Sequence, residues 1–188
     1  MVYIEDKIFE KLDFTKKPLE KGEYENCKFL NCNFAKSDIS NIIFLDSDFI
    51  DCDLSMAKLI DTTFRGVDFK SCKMLGLYFE HCNKIGIEVS FDNCIINHSS
   101  FYKINLQKTV FKKSILQETD FTECNLKGSF FYDCDLQSAV FFNTVIEKVD
   151  FRTAYNYSIN PEVNKIKKAR FSLNGISGLL EKYKIDLS

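Results

Sequence analysis

Eight cysteines are the side chains of this sequence with the widest chemical repertoire, and their spacing limits which chemistry is available. No two of them are separated by only two residues, so the CxxC element that is common in structural zinc sites is missing from the sequence. The amino terminus carries charges where a secretory signal needs an apolar stretch. We therefore expect a cytoplasmic location and free thiols in a reducing compartment.

Neither histidine lies in a pattern that indicates catalysis. His81 and His98 have no neighbouring Ser-His-Asp or Cys-His arrangement, and ordinary surface positions account for both. The sequence predicts a protein that is not an enzyme and has no cofactor and no bound metal. One alternative remains open, a redox-reactive thiol at Cys82, which lies in an irregular part of the chain.

Many short carboxylates immediately precede a large apolar residue, as Asp48 precedes Phe49 and Asp68 precedes Phe69. Two interpretations remain open. A short polar side chain in this position can accept a hydrogen bond from nearby turn backbone. Alternatively, Asp48 and Asp68 belong to a candidate partner surface, in which carboxylates are spaced like the phosphates of DNA.

The overall charge excludes one class of partner. The formal net charge is −2, from 27 acidic and 25 basic side chains, so the sequence lacks the basic footprint of a protein that binds nucleic acid directly. No apolar stretch approaches the ~20 residues that span a bilayer, so no membrane segment is predicted.

A strict period of five residues runs through most of the chain. Every fifth residue from Ile4 to Phe79 is apolar or aromatic, and the series resumes two residues out of phase at Phe91 and continues to Phe151. The residue two positions before each of these centres is mostly small, and seven of the eight cysteines occupy such positions, while Cys82 continues their spacing just past Phe79. We interpret the cysteines as compact core residues.

A period of five fits neither an α-helix nor a plain strand, and it predicts a solenoid in which coils stack to bury a shared core. The units Cys52-Asp53-Leu54-Ser55-Met56 and Cys124-Asn125-Leu126-Lys127-Gly128 are representative. They resemble the pentapeptide-repeat family. The resemblance implies an all-β solenoid, a right-handed quadrilateral β-helix in which four units form one coil and residues twenty apart stack.

The pattern predicts two regions. Residues 1–155 form the β-helix, with a two-residue irregularity within 80–90 where one coil must bulge. Residues 156–188 form the remnant of a terminal coil and a short C-terminal α-helix. This helix would cap the open end of the solenoid or join two chains, and its apolar stripe consists of Leu173, Ile176, Leu179, Leu180 and Tyr183.

Several outward positions in the second half are apolar. Val110 and Phe130 are twenty residues apart and are expected to stack on one face, with Ile95 and Ile115 on the next. Exposed apolar columns are typical of a partner surface, so Val110 and Phe130 join Asp48 and Asp68 as candidate contact residues.

Three segments resemble the quinolone-resistance (Qnr-type) branch of the family: Cys52-Asp53-Leu54-Ser55-Met56-Ala57, Ile85-Gly86-Ile87-Glu88-Val89 and Leu179-Leu180-Glu181-Lys182-Tyr183-Lys184-Ile185. This resemblance implies a homodimer formed through the C-terminal helix. It also implies binding to a type II topoisomerase, DNA gyrase or topoisomerase IV, as a mimic of duplex DNA, and a relation to fluoroquinolone resistance.

Two functions therefore remain open. A DNA-mimicking topoisomerase binder predicts a continuous negative stripe along one face. A scaffold that binds an unknown protein partner through the columns around Val110 and Phe130 predicts mixed charge and a hydrophobic patch.

Overall fold

The computed structural model describes residues 1–186, which form stacked coils of short parallel strands. The strands are β1 (Val2–Glu5), β2 (Ile8–Glu10), β3 (Gly22–Glu25), β4 (Lys28–Leu30), β5 (Ile43–Leu45), β6 (Asp48–Ile50), β7 (Thr63–Arg65), β8 (Val67–Lys70), β9 (Val89–Asp92), β10 (Val110–Lys112) and β11 (Phe130–Tyr132). One α-helix, α1 (Ser177–Leu180), lies near the carboxyl end of the described residues. None of the helices there is long and apolar enough to cross a membrane.

Each strand pairs in parallel with the strand one coil further along the chain. On face 1, β1, β3, β5 and β7 form a four-stranded sheet, and on face 2 the remaining seven strands form a second sheet. The register places Phe9 beside Phe29, and Phe29 beside Phe49. A coil therefore contains twenty residues, or four pentapeptides, and the predicted right-handed quadrilateral β-helix is confirmed.

The other two sides of the solenoid are joined by single bridges. On face 3 the bridges begin at Asp13 and end at Tyr155, and on face 4 they begin at Asp38 and end at Val140. Bridges also continue face 1 to Lys165 and face 2 to Arg170, so inter-coil pairing extends beyond residue 155.

The interior is filled by stacked aromatic rings. On face 2, Phe111 stacks on Phe91 with ring centroids 5.0 Å apart and on Phe131 at 4.7 Å. A second column on face 4 contains Phe121, whose ring meets the Phe111 ring edge-on at 6.0 Å and 87°. The two Phe columns therefore lie on opposite faces and interlock through favourable edge-to-face contacts.

The corners of each coil need an unusual backbone conformation. The residue two positions after most centres has positive φ, for example Asn31 at 52°, Lys113 at 49° and Gly66 at 66°. Only glycine adopts this region freely, and Asn and Asp tolerate it better than other residues. This preference accounts for the recurrence of Asn and Asp at the corners.

Residues 80–90 form an enlarged corner, which projects from face 1 and which we call the bulge. The coil offset changes here from twenty to twenty-two residues, because β8 pairs with β9 through Phe69 and Phe91. The bulge begins with a 3-10 turn at Phe79–His81. Ile87 packs against the core, whereas Ile85 is 77% exposed.

The two ends of the solenoid are closed differently. In the first coil Lys7 and Lys17 occupy positions that are mostly small elsewhere, and the Lys7 ammonium lies 5.1 Å from the centroid of the Phe9 ring. Both lysines remain exposed, so they cover the end of the core while keeping their charges in water. At the other end α1 lies between two 3-10 turns, Leu173–Gly175 and Glu181–Tyr183.

Candidate functional site

The interior offers no site for a substrate. Its inward positions are filled by buried side chains, and an open groove of about 1000 Å³ lies between the last coil and the C-terminal segment. No group of three His, Cys, Asp or Glu side chains in this part of the chain is placed to hold a metal ion. A function must therefore be sought on the outer faces.

All eight cysteines are free and buried. On face 3, three of them repeat one contact between coils: the thiols of Cys52, Cys72 and Cys94 donate to the carbonyl oxygens of Phe29, Phe49 and Phe69 at 3.2, 3.3 and 3.3 Å. Burial raises the pKa of Cys134 to about 12, and burial also raises the pKa of Cys82. Cys82 and Cys134 are therefore protonated core side chains with little reactivity as nucleophiles.

We expect that none of the eight thiols reacts with Ellman's reagent within minutes in the native protein, and that all eight react in denaturant. The reason is burial, which blocks the reagent and suppresses the thiolate. Rapid reaction of one thiol before unfolding, mapped to Cys82 by mass spectrometry, would contradict this and support a redox-reactive thiol in the bulge.

The two histidines lie on the surface. His98 Nδ1 is 3.2 Å from a Glu118 carboxylate oxygen, and the His81 ring stacks on the Tyr78 ring. Neither contact includes a serine or cysteine nucleophile.

The candidate carboxylates Asp48 and Asp68 lie side by side on face 2 and are bound by lysine. Lys70 Nζ is 2.9 Å from Asp48 Oδ1 and 3.3 Å from Asp68 Oδ2, and Lys28 lies 4.0 Å from the other oxygen of Asp48. Asp68 also accepts a hydrogen bond from Ser90 Oγ. The surface around these two carboxylates is therefore mixed in charge.

This pairing is a general property of the outer surface. Lysine and carboxylate side chains on adjacent coils lie together in the pairs Lys73–Asp53 at 3.6 Å, Lys103–Glu123 at 3.5 Å, Lys112–Asp92 at 2.8 Å and Lys127–Glu147 at 3.5 Å. Exposed pairs of this kind contribute little to stability. They do offset negative charge along the faces that carry them.

Other carboxylates bind the turn backbone. Asp53 and Asp120, on the bridged faces, accept hydrogen bonds from the backbone N–H two residues later at 2.9 and 2.8 Å. Asp48 and Asp68 belong to strands, and they accept side-chain hydrogen bonds from Lys70 and Ser90.

One carboxylate is almost completely buried. Asp150 is 4% exposed and is held by Arg152, whose Nε and Nη2 donate to its two oxygens at 2.9 and 2.7 Å. These hydrogen bonds from Arg152 hold the pKa of Asp150 below its ordinary value. Arg170 Nη1 lies further away, at 3.8 Å.

Replacing Arg152 with alanine should lower the free energy of unfolding by roughly 2 kcal/mol at pH 7, because Asp150 keeps its charge without its main partner. The pKa of Asp150 is depressed in the folded state, so this contribution is present above its unfolded pKa of about 3.9 and is lost as the pH falls through the folded value. Urea titrations at pH 7 and pH 3 should show the difference between variant and wild type shrinking in acid. Lys112→Ala, which removes an exposed pair, serves as the control, and an equal loss there would contradict the prediction.

The apolar candidates Val110 and Phe130 pair on face 2, in β10 and β11. Both are half-buried, and the Phe130 ring stacks on the Tyr132 ring with centroids 5.3 Å apart. Ile95 and Ile115 pair on face 3 and are partly exposed. These residues form a small aromatic and aliphatic surface beside the ion pairs of face 2.

Face 4 carries apolar side chains that the repeat pattern does not single out. Phe142 is 50% exposed and Tyr78 is 54% exposed, and Val140 and Ile60 are also exposed. Phe142 directly follows the buried centre Phe141. The two phenylalanines look alike in the sequence, although Phe141 points inward and Phe142 points outward. The residue immediately after a centre points outward, and this position in the repeat identifies Phe142 as an outward side chain.

The five residues of the predicted C-terminal stripe differ in burial and do not form one apolar surface. Leu179 packs against the core, and Leu180 is half-buried. Leu173 is 88% exposed, and Ile176 and Tyr183 are also exposed. The α-helix has only four residues, so the spacing that predicts one continuous stripe does not hold across the flanking 3-10 turns.

Comparisons with solved structures reveal the same architecture. Two trypsin-treated variants of QnrB1, described as a plasmid-mediated fluoroquinolone resistance protein, each align with a TM-score of 0.61 at 16% sequence identity. The first alignment covers 100% of both chains, and the second covers 98% of this chain and 99% of the other. HetL, a pentapeptide repeat protein involved in heterocyst differentiation regulation from the cyanobacterium Nostoc, gives a TM-score of 0.40 at 14% identity, over 92% and 88% of the chains. At 16% identity the likeness to the two QnrB1 structures shows a shared fold.

Sequence comparison identifies the family. No curated protein sequence matches this chain significantly. The profile of the pentapeptide repeat region matches residues 22–88 and 79–155, which together make up more than half of the sequence. The matched segments contain the five-residue units whose centres form the stacked core. The chain belongs to the pentapeptide repeat family.

Proposed function

We propose that the protein is a non-catalytic binding protein that recognises another protein through the outer surface of its solenoid. The observation that supports this most directly is the contrast between a filled interior and an outer surface with exposed aromatic side chains. A site for small-molecule chemistry needs a concave pocket with converging polar groups. Aromatic residues among paired charges are instead typical of a protein contact surface.

Face 2 and face 4 are both candidates for the protein contact surface, and matched variants distinguish them. Phe130→Ser removes the aromatic contact on face 2, and Phe142→Ser removes that on face 4. Affinity capture from cells followed by quantitative mass spectrometry should find a protein whose recovery falls about tenfold with one variant and is unchanged with the other, since aromatic side chains dominate contact energies. Equal recovery of every captured protein with wild type and both variants would refute the proposal.

A type II topoisomerase, DNA gyrase or topoisomerase IV, is the second candidate partner. It is supported by the three segments that resemble the Qnr-type branch and by the likeness in fold to QnrB1 over the full length of both chains. The ion pairs of Asp48 and Asp68 with Lys70 weaken the part of this hypothesis that requires a continuous negative stripe on face 2. A topoisomerase contact would therefore need the apolar surfaces as well as charge.

A supercoiling assay tests this candidate. Purified protein is added to gyrase or topoisomerase IV with and without a fluoroquinolone, and inhibition or drug protection supports the hypothesis. Asp48→Asn with Asp68→Asn should reduce the effect if these carboxylates imitate phosphates. Asp120→Asn, which removes the same type of charge on face 4, should not. Absence of any effect over a wide concentration range would refute topoisomerase binding and leave the partner in another protein class.

Dimerisation through the C-terminal segment is a further part of the proposal. Leu173, Ile176 and Tyr183 remain exposed after the segment has packed on its own solenoid, so they are available to a second copy. Leu173→Ser with Ile176→Ser should then reduce the mass measured by sedimentation equilibrium. An unchanged mass would exclude this mode of association. The cytoplasmic location expected from the sequence remains a prediction.

A further inference from the structure

We propose that two copies of this chain associate side by side through face 1, in antiparallel orientation. Face 1 is the side formed by β1, β3, β5 and β7 and continued by the bridged residues Asn105, Asn125, Val145 and Lys165. This association goes beyond the proposed function, because it replaces dimerisation through the C-terminal segment as the mode of self-association and does not depend on which other protein the solenoid recognises.

The two halves of the chain differ in charge. Residues 1–94 contain 17 acidic and 12 basic side chains, whereas residues 95–188 contain 10 acidic and 13 basic side chains. Along a straight stack of coils, this difference becomes a separation of charge between the two ends of the rod.

The acidic excess is concentrated on face 1 near the first coils. Glu5, Asp6, Glu23 and Glu25 belong to or directly follow β1 and β3, and Asp46 follows β5. None of them has a lysine or arginine partner among the described residues, although such partners are common on the other faces. Their charges are therefore not offset within one chain.

The basic excess lies on the same face at the opposite end. Lys148, Lys165, Lys167 and Lys168 are all exposed, and within residues 1–186 none of them has an ion-pair partner. The acidic residues beside them are already paired, Glu147 with Lys127 and Glu123 with Lys103, each at 3.5 Å. Face 1 thus presents unpaired carboxylates at one end and unpaired ammonium groups at the other.

The spacing along face 1 makes it complementary to a second copy of itself. Four levels, β1, β3, β5 and β7, lie on one side of the bulge, and four bridged levels lie on the other side. We place a twofold axis in the interface, parallel to the strands. Rotation about this axis reverses the order of the levels in the second copy. Each column of side chains in one copy then faces the same column in the other. Such a contact uses the same surface on both chains and closes after two copies.

The bulge determines the register. If the bulges of the two copies lay at the same level, they would collide. A shift of one copy by one coil along the rod lets the two bulges lie side by side. The exposed Ile85 of each copy then lies between the rods. In this register the facing pairs, one residue from each copy, include Glu23 with Lys165, Glu25 with Lys167 and Asp46 with Lys148. One like-charged pair, Arg65 with Lys127, opposes them, but this lysine is already bound to Glu147 within its own chain. The charged pairs occur twice because of the symmetry.

The expected contact is small. Strands stacked at ~4.8 Å give a rod roughly 40 Å long, and a face of this length and roughly 10–15 Å wide buries about 1,000 Å² over both copies. This area is at the low end for specific protein complexes. We therefore expect a weak dimer that depends on its charged pairs.

Sedimentation equilibrium measures this association directly. At about 0.1 M salt the wild-type chain of 21.9 kDa should approach twice that mass at high concentration, and at about 1 M salt the dissociation constant should rise about tenfold or more, because screening shortens from about 10 Å to about 3 Å. A chain that stays monomeric at every concentration in low salt would overturn the proposal.

Charge reversal and rescue distinguish this interface from others. An acid-reversed variant carries Glu23→Lys, Glu25→Lys and Asp46→Lys, and a base-reversed variant carries Lys148→Glu, Lys165→Glu and Lys167→Glu. Each alone should be monomeric, and an equimolar mixture should form a heterodimer, since each of the three substituted pairs is again opposite in charge. The control, Lys36→Glu with Lys58→Glu and Lys113→Glu, makes the same change in charge on other faces and should keep the wild-type mass. Circular dichroism verifies that each variant is folded.

The remaining outcomes overturn the proposal. A dimer that survives both reversals and is lost with Leu173→Ser and Ile176→Ser would assign association to the C-terminal segment. A chain that is monomeric in low salt but binds poly-glutamate through Lys165 and Lys167 would assign the basic end to an acidic partner of another kind.

Discussion

A Phe121→Asp variant is expected to lose the cooperative thermal transition and most of the β-sheet circular dichroism of the wild-type protein. The Phe121 ring stacks on Phe101 and Phe141 with centroids 5.3 and 5.1 Å away, and it meets Phe111 and Phe131 edge-on. Removing such a ring costs about 3–5 kcal/mol, and a charge in its place adds the cost of desolvation. Because a domain is stable by only about 5–15 kcal/mol in total, this one change should unfold the coils around it.

The chain supplies a matched control for this prediction. Phe142 lies one coil further along on the same face but points outward and is 50% exposed. Phe142→Asp introduces the same chemical change without removing a core ring, and it should melt within a few degrees of the wild type. A Phe121→Asp protein that melts like Phe142→Asp would show that the stacked column is not the main source of stability.

The coils could be predicted from the sequence because their determinants are local and repeated. An apolar centre every fifth residue, with a small residue two positions earlier, defines which side chains point inward without any knowledge of the partner coil. The register follows for the same reason, since Phe29 and Phe49 can stack only if a coil contains four units. Even the shift at Phe91 could be located, because it interrupts an otherwise unbroken series.

The properties of the outer surface could not be predicted in the same way, because they depend on pairs of residues in different coils. Asp48 and Asp53 look alike in sequence, and each precedes an apolar centre. Asp48 lies on a strand and binds Lys70, twenty-two residues later. Asp53 lies on a bridged face, where it accepts a hydrogen bond from the backbone N–H of Ser55 in addition to its pair with Lys73. The repeat makes both positions polar, and the face on which each lies determines its partner.

This difference matters for function. A surface array of carboxylates imitates DNA only if its charges remain unbalanced, and on face 2 lysines from neighbouring coils balance them. Unbalanced carboxylates occur instead at the first coils of face 1, where Glu5, Glu23 and Glu25 have no basic partner among the described residues. Any function that depends on negative charge is therefore expected to use face 1 in preference to the surface around Asp48.

The C-terminal segment illustrates the other limit of sequence analysis. A helical stripe from Leu173 to Tyr183 assumes an uninterrupted helix, but two glycines allow the segment to approach the end of the solenoid very closely. A Cβ atom added to Gly178 would lie 2.1 Å from the carbonyl oxygen of Tyr157, and one added to Gly175 would lie 2.1 Å from its hydroxyl oxygen. The close approach is a tertiary feature, and only the structure reveals why glycine is needed at both positions.

Gly178→Ala is therefore expected to displace the C-terminal segment from the last coil. The added methyl group cannot fit against the Tyr157 carbonyl, and a shift of the segment breaks the hydrogen bond that Ile159 N donates to Gly178 O at 2.8 Å. Leu179 would lose its contact with the core, and an exposed coil end should lower the free energy of unfolding by about 2–4 kcal/mol. Hydrogen exchange should accelerate at Ile159 and in residues 172–186 while the coils around Phe111 stay protected. Ser177→Ala, a change at the exposed neighbouring residue, should leave exchange unaltered. Equal exchange in Gly178→Ala and wild type would mean that the segment does not close the solenoid.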